Sequence, residues 1–473
     1  MNHNYDNLDT SIYRFNQTEA FTIRQAFEGV QIFGGIGSGK TSGSGQALAK
    51  AYLHAGFGGL VLCAKKDECE TWKEYARETG REDDLIIFDE TGSWRFPFLQ
   101  YEVKRAGKGA GFTENLVRLF TTVYEVMERS KGGNSDSYWM RSMQQLIRNA
   151  IDLCLLSGNE VSVPQLYDIV NSAPRSEAER ESEEWQENSL CWQLLENAEN
   201  LQDKLSEWQW LDLASTVNYW QEEFPRLAPK TRSGIISMFT SMADNLMRRP
   251  FRMLFSVGLP KRNAVPEMTH DGVIIIMNLP VKEFGEAGRA AQVIYKMMWQ
   301  QAVERRDIAK NPRPVFLWVD EAQNFVTDYD MQFQATARSS RACTVYLTQN
   351  LPNYYASMGG EQSKYRVDSL IGNFQTLIFH NNAEPYTNQK ASDIIGRSWQ
   401  LRAGVSRSAS ERHFTTSESA NIHLDYDVIP KTYTRLKKGG RLNGYEVEAI
   451  VFNSRGWSNG KTYLRASFHQ RKT

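Results

Sequence analysis

Cysteine is scarce in this chain: five residues among 473, at Cys63, Cys69, Cys154, Cys191 and Cys343. The number is odd, the positions are scattered and none form a C-x-x-C pair. This argues against a disulfide framework and fits a reducing compartment. Cys343, inside an apolar run, is expected to be buried in a strand. Long hydrophobic runs are also missing. None approaches the roughly 18 residues that a bilayer-crossing helix needs, and residues 1–24 are polar with no signal-like apolar core. A soluble, cytoplasmic protein with no transmembrane segment is the expectation. Neither sign of charge is in excess: 55 Lys plus Arg meet 56 Asp plus Glu, for a net −1. No global attraction to a polyanion follows, so any nucleic-acid surface has to be local. What is present is the composition of a globular protein, 41% hydrophobic and 23% charged. Its length predicts two or three domains rather than one small core.

The strongest chemical signal lies at residues 30–41, Val-Gln-Ile-Phe-Gly-Gly-Ile-Gly-Ser-Gly-Lys-Thr. Gly34, Gly39, Lys40 and Thr41 complete G-x-x-x-x-G-K-T, the phosphate-binding loop pattern. Glycines let the backbone curl so that its N–H groups face a triphosphate, and the helix that follows adds the positive end of its dipole. Lys40 is the residue to reach the β- and γ-phosphates, and the Thr41 hydroxyl is the residue to stand on Mg²⁺. Residues 29–33 alternate like a short strand, and residues 41–52 carry Ala and Leu spaced for one buried helical face. Strand, loop and helix fall in the required order. The predicted cofactors are ATP and Mg²⁺, and the predicted nucleotide-binding set is Gly34, Gly37, Ser38, Gly39, Lys40, Thr41 and Ser42.

Strands and helices then alternate. Residues 59–63 and 84–88 read as strands, with a helix over 67–79 between them, which implies a parallel sheet with helices on both faces. Asp89 and Glu90 close the second strand and fit a solvated strand end better than a second acidic metal site. From residue 112 only helices are predicted. Residues 138–156 carry Met140, Met143, Leu146, Ile147, Ile151 and Leu155 at helical spacing, and Ser162 with Pro164 opens another helix. Residues 176–223 hold thirteen acidic and two basic residues and five of the twelve tryptophans. They read as a helical insertion with a solvated acidic face and a tryptophan packing core, since that charge would repel a phosphate backbone. A long helix over 231–255 leads back to a strand at 273–277 and a helix at 287–306.

Residues 314–320, Pro-Val-Phe-Leu-Trp-Val-Asp, form an apolar strand ending in Asp320 and Glu321, the form of a Walker B motif. Asp320 is predicted to hold Mg²⁺, directly or through water, and Glu321 to polarise the attacking water as general base. Arg338-Ser-Ser-Arg341 precedes a strand at 342–347 that ends in Thr348-Gln349-Asn350. Gln349 could sense the γ-phosphate or hold its water, or could be a plain polar strand terminus. A last strand of the sheet falls at 375–380 and a helix at 387–396. Residues 402–412, rich in serine and arginine, read as a mobile loop. Residues 400–473 carry thirteen Lys plus Arg against six Asp plus Glu, densest around Tyr433, Arg435, Lys437, Lys438 and Arg441. A basic surface loop or subunit contact is one reading, a nucleic-acid contact the other. Two closing strands are predicted at 446–452 and 462–468.

With these parts in order, the chain resembles the type IV coupling-protein family of conjugation and type IV secretion, within the HerA/FtsK superfamily of ring ATPases. The resemblance spans about residues 30–397. It rests on the Gly-Gly-Ile-Gly-Ser-Gly-Lys-Thr loop, the helical insertion, Val-Asp-Glu-Ala at 319–322 and Ala-Arg-Ser-Ser-Arg-Ala-Cys-Thr-Val-Tyr-Leu-Thr-Gln at 337–349. Gly-Asn-Phe-Gln from Gly372 and Asp-Ile-Ile-Gly from Asp393 complete it.

The resemblance implies a RecA-like P-loop NTPase core of α/β class with an all-α inserted domain. It also implies ATP hydrolysis coupled to DNA translocation, and a homo-hexamer around a DNA channel. An arginine of one subunit would meet ATP bound by its neighbour; the matching residue here is Arg338, with Arg341 second. The expected divisions are an N-terminal polar segment 1–28, a nucleotide-binding domain in two parts (29–111 and 256–397), an all-α insertion 112–255 and a basic extension 398–473. Most members carry N-terminal transmembrane helices and this chain shows none. The acidic, tryptophan-rich insertion also points to a different docking partner. A role in DNA mobilisation or anti-phage defence is therefore as open as conjugation. The rival functions are an ATP-switched scaffold for a partner effector and a secretion-type ATPase that moves protein.

Overall fold

The computed structural model describes residues 5–129, 137–256, 262–410 and 413–470. In chain order the strands are β1 (Ser11–Arg14), β2 (Ala20–Thr22), β3 (Val30–Phe33), β4 (Gly58–Leu62), β5 (Leu85–Phe88) and β6 (Trp94–Arg95). They continue with β7 (Arg262–Asn263), β8 (Ile274–Met277), β9 (Val315–Val319), β10 (Ala342–Thr348) and β11 (Thr376–Phe379). The last four are β12 (Arg397–Ser410), β13 (His413–Tyr426), β14 (Glu446–Asn453) and β15 (Tyr463–His469). One nine-stranded sheet runs in the order β15-β14-β11-β3-β10-β9-β4-β8-β5. From β11 to β5 every pairing is parallel. At the other end β14 pairs antiparallel with β11, and β15 antiparallel with β14. This is a RecA-like P-loop fold of α/β class.

The strands read as unbroken apolar runs because both faces of the sheet are covered. β8 and β9 are buried at every residue. Alternation then sends successive side chains to opposite sides. Leu60 and Leu62 join one hydrophobic cluster, and Val61 and Cys63 join the other. The first cluster continues without a break into the helices between β6 and β7. There the helix Ser137–Leu156 contributes Met143, Leu146, Ile147 and Ile151. Ser162 caps the helix Val163–Ser172 by accepting from the Gln165 amide at 3.3 Å, with proline in the first turn.

Four expectations need adjustment. The helix predicted over 231–255 is two, Pro229–Met247 and Phe251–Phe255, because Pro250 lacks an amide hydrogen and disfavours helical geometry at Arg249. Only part of the tryptophan set packs: Trp220 and Trp185 are buried, while Trp208 and Trp210 are 75% and 53% exposed. Residues 402–410 of the segment read as a mobile serine-arginine loop belong to β12, which pairs one-to-one with β13 along fourteen residues, and residues 411 and 412 lie outside the described set. Composition alone suggested a loop, but cross-strand pairing satisfies the backbone whatever the side chains are. The polar N-terminal segment also has an apolar side, with Phe15, Phe21, Ile23 and Phe27 in the second cluster.

One polar group of the core ties three elements together. Lys296, on the helix Val281–Arg305, pairs with Asp330 on the helix Asp328–Thr336, and neither side chain is more than 2% exposed. Asp330 also accepts from the Tyr346 hydroxyl of β10 at 2.6 Å and from Gln300 Nε2 at 2.8 Å. Lys296 donates to the Phe325 carbonyl at 2.7 Å. Removing one member of such a pair leaves the other charge unpaired in the core. Asp330→Ala is therefore expected to cost about 3–5 kcal/mol by urea unfolding at neutral pH, with Lys296→Met in the same chain recovering part of the loss.

Candidate functional site

β3 ends at Phe33 and the chain turns sharply. Gly37 and Gly39 take φ of 67° and 81°, a region that side chains with a Cβ rarely adopt. At Gly39 a Cβ would also lie 2.5 Å from Val447 of β14, so the loop is pressed against the C-terminal strands. Inside the curl Ser38 is buried, and its Oγ has no partner among the described residues. Thr41–Gly45 forms a wide π-type first turn before the helix Gln46–His54. Ser42 Oγ accepts from Gln470 Nε2 at 2.6 Å.

Parallel pairing places the carboxyl ends of β3, β10, β9 and β4 along one edge, where ligands of such sheets bind. Thr41 Oγ1 donates to Asp320 Oδ2 at 2.8 Å, across 279 residues of chain. A hydroxyl and one carboxylate are the donor set of an Mg²⁺ ion that keeps most of its shell as water and phosphate oxygens, so these residues fit that ion. Asp320 Oδ1 accepts from the Glu321 amide at 2.8 Å. Glu321 itself has φ of 49°, a conformation costing about 1–3 kcal/mol for a residue with a Cβ, and its carboxylate reaches Lys40 of the loop. Its Oε1 lies 2.8 Å from Lys65 Nζ and 3.8 Å from Lys40 Nζ. Its Oε2 accepts from Gln323 Nε2 at 2.8 Å and faces Gln349 Nε2 at 3.5 Å. Burial would raise the Glu321 pKa, but the hydrogen bonds from Lys65 and Gln323 and the charge of Lys40 outweigh it and hold it to about 2.

A cleft of about 690 Å³ joins these groups. Gly37, Ser38, Gly39, Lys40, Thr41, Ser42, Glu321 and Gln349 line it, and Asp320 stands beside it on Thr41. Gly34 lies beneath the curl, where a Cβ would meet Ser38 Oγ at 2.4 Å. Arg338 is not brought to this cleft. It precedes β10, at the amino ends of the strands, 58% exposed and 4.0 Å from Glu28, which Arg455 also holds. Arg341 is tied to the carbonyls of Tyr5 and Pro312 and to Asp6. In the basic C-terminal cluster Tyr433 is buried and Lys437 pairs with Glu446, while Arg435, Lys438 and Arg441 are exposed.

Four further residues belong to the site. Lys65 follows β4, and its position at the carboxyl end of a predicted parallel strand was the one available signal. Gln323 is held by the Thr348 hydroxyl at 2.7 Å. Glu68 accepts from the Ala64 amide at 2.7 Å, and burial together with the charge of Asp320 pushes its pKa up to about 8. His380 closes β11 beneath the loop: its Nε2 is 2.7 Å from Ser44 Oγ and its Nδ1 is 3.0 Å from the Glu448 carbonyl. The carbonyl can only accept, so Nδ1 carries the proton and Nε2 accepts from Ser44.

This edge, with its loop, hydroxyl and paired carboxylates, is the nucleotide edge of a P-loop NTPase fold. Residues 314–429 match the family model described as the TraM recognition site of TraD and TraG. No curated protein matches the chain. Among solved structures it is similar to the bacterial conjugative coupling protein TrwBdeltaN70 in an unbound monoclinic form. That match has a TM-score of 0.60 at 13% identity, covering 98% of this chain and 90% of that one. Plasmid coupling protein TrwB in complex with the non-hydrolysable ATP analogue ADPNP aligns with a TM-score of 0.57 at 13% identity, over 95% and 87% of the two chains. TrwB in complex with ADP and Mg²⁺ gives 0.52 at 13%, over 96% and 88%. The family match and the shared fold support the resemblance to type IV coupling proteins. Among the described residues no helix is long and apolar enough to cross a membrane.

Burial, with the charge of Lys40 added, lowers the His380 pKa to about 4 against an ordinary 6.5. The folded protein thus resists protonation where the unfolded chain accepts it, and stability falls as pH drops from 6.5 towards 4. The difference between wild type and His380→Asn in denaturant unfolding isolates this residue. The advantage of the histidine is expected to shrink by about 3 kcal/mol across that window and to stay level above pH 7.

Proposed function

We propose that this chain is an ATP-driven DNA translocase of coupling-protein type, working as a hexameric ring that hydrolyses ATP to move DNA or a nucleoprotein. The observation that carries the reading is the Thr41–Asp320 contact, with Lys40, Glu321 and Gln349 on the same cleft. Supporting it are the match of residues 314–429 to the TraD and TraG model and the shared fold of TrwB, whose structures hold ADPNP or ADP with Mg²⁺.

In this reading the loop amides and Lys40 bind the β- and γ-phosphates. The Gln349 amide orients a water, and Glu321 takes its proton as that water attacks the γ-phosphate. Mg²⁺, held on Thr41 and Asp320, supplies neutralisation of charge on the phosphate oxygens when bound. Exposed Arg435, Lys438 and Arg441 are a local basic surface for DNA. Exposed Trp208 and Trp210, set among acidic residues of the insertion, are the surface for a partner protein.

Glu321→Gln is expected to bind ATP yet lose about 10²–10⁴-fold in turnover, since the amide cannot accept the proton. Turnover equal to wild type would assign the base elsewhere. ATPase rates with and without single- and double-stranded DNA, at two salt concentrations, test the DNA coupling. Rates that DNA leaves unchanged favour the ATP-switched scaffold.

Arg338 is assigned to the neighbour's nucleotide. It sits at the opposite end of β10 from Gln349, and more than half of its surface is free. A guanidinium delivered in trans stabilises the transferring phosphoryl group by about 10³–10⁵-fold in rate. Arg338→Ala and Lys40→Ala chains are expected to be inactive alone and to regain partial ATPase activity when mixed. Mixed rings, verified by mass, that stay inactive would return Arg338 to its pairing with Glu28.

A further inference from the structure

Two lysines converge on one oxygen of Glu321, and only one of them belongs to the phosphate-loop motif. Lys40 Nζ lies 3.8 Å from Oε1 and Lys65 Nζ lies 2.8 Å from the same atom. The two ammonium groups therefore flank a single anionic position on the cleft that Lys40, Ser38 and Gln349 also line. In a P-loop site the position beside the loop lysine is that of a terminal phosphate oxygen. The Glu321 carboxylate occupies, inside the protein, the electrostatic place that the γ-phosphate would take.

The backbone beneath Lys65 is fixed. Buried Gln292 accepts from the Cys63 amide at 2.8 Å and donates to the Cys63 carbonyl at 2.9 Å. The Ala64 amide is held by Glu68 and its carbonyl accepts from the Lys282 amide. The side chain is another matter: 30% of it is exposed, at the end of a flexible four-carbon stem. Lys66 next to it points away, 84% exposed, towards Glu283. Lys65 is thus a cation on a rigid base whose head can change partners within the cleft.

Glu321 gives the exchange a consequence. With Oε1 on Lys65 and Oε2 on Gln323, each carboxylate oxygen already accepts a hydrogen bond, and a water on Oε1 would have to share it with Lys65. A γ-phosphate carries more charge than a carboxylate and offers several oxygens to the two ammonium groups.

We propose that Lys65 is a second γ-phosphate-binding residue: it leaves Glu321 for the terminal phosphate of ATP, discriminates ATP from ADP, and by leaving frees Glu321 to act as base. The inference rests on the nucleotide-site reading above and adds a residue outside its motifs.

Nucleotide affinity measured by calorimetry tests it without turnover, using ADPNP and ADP, each with Mg²⁺, on the full chain. Lys65→Met keeps the length of the stem and removes the charge. It is expected to weaken ADPNP binding by about 10- to 100-fold, the worth of one charged hydrogen bond, while ADP affinity stays within about threefold. Lys65→Arg is expected to retain much of the ADPNP preference, which also controls for folding. Glu321→Gln, which no longer competes for Lys65, is expected to tighten ADPNP binding in the wild-type background and much less in Lys65→Met. Equal losses for ADPNP and ADP, or an unchanged ratio, would overturn the exchange and leave Lys65 as a structural partner of Glu321. A wild-type chain that binds neither nucleotide would instead defeat the nucleotide-site reading itself.

Discussion

The constraint on which the rest of the site depends is the insertion of β10 between β3 and β9. β3 delivers the phosphate loop and β9 delivers Asp320 and Glu321, and both pair in parallel with β10 in matched register. All three strands therefore end along one edge, with the loop on one side, the carboxylates on the other and Gln349 between them. A one-residue slip in either pairing would turn alternate side chains to the wrong face and carry Gln349 off the cleft. The register is held because β10 is buried at every one of its residues and packs into both clusters. The Asp330 network pins it from one side through Tyr346.

The phosphate loop is supported from a second direction, by residues far along the chain. β14 adds antiparallel to β11, and Val447 fills the space that the absent Cβ atoms of Gly39 and Gly43 leave. His380 links Ser44 to the Glu448 carbonyl, and Gln470 reaches Ser42. The C-terminal strands are thus the floor beneath the glycine-rich loop as well as the end of the sheet. The basic character of this region belongs mainly to its outer residues, since its inward positions are apolar and packed.

Charge at the cleft is arranged as a closed set. Glu321 is satisfied by two lysines and two amides, Asp320 by Thr41 and a backbone amide, and Glu68 shares its surroundings with Asp320 at a raised pKa. A strained backbone at Glu321 accompanies this set, as expected where a side chain must be aimed across an edge rather than packed beneath it. Binding a highly charged ligand in such a place requires partners to be exchanged rather than simply added.

Local pattern was enough to read much of this protein. The turn at 34–41 needs glycines and a lysine at fixed spacing, and buried parallel strands must be continuous apolar runs, so the loop, the apolar strand leading into Asp320, Gln349 at a strand tip and the α/β class were legible. Helix caps such as Ser162 are likewise set by neighbours a few residues away. The tertiary structure alone decided which strand ends stand side by side, because strand order depends on crossovers of tens to hundreds of residues that leave no periodicity behind. That order brought Lys65 to Glu321 across 256 residues, put His380 beneath the loop, left Arg338 at the amino ends of the strands and paired a serine-arginine stretch, as β12, with β13. Each of these rests on long-range pairing or burial, which neither composition nor spacing can express.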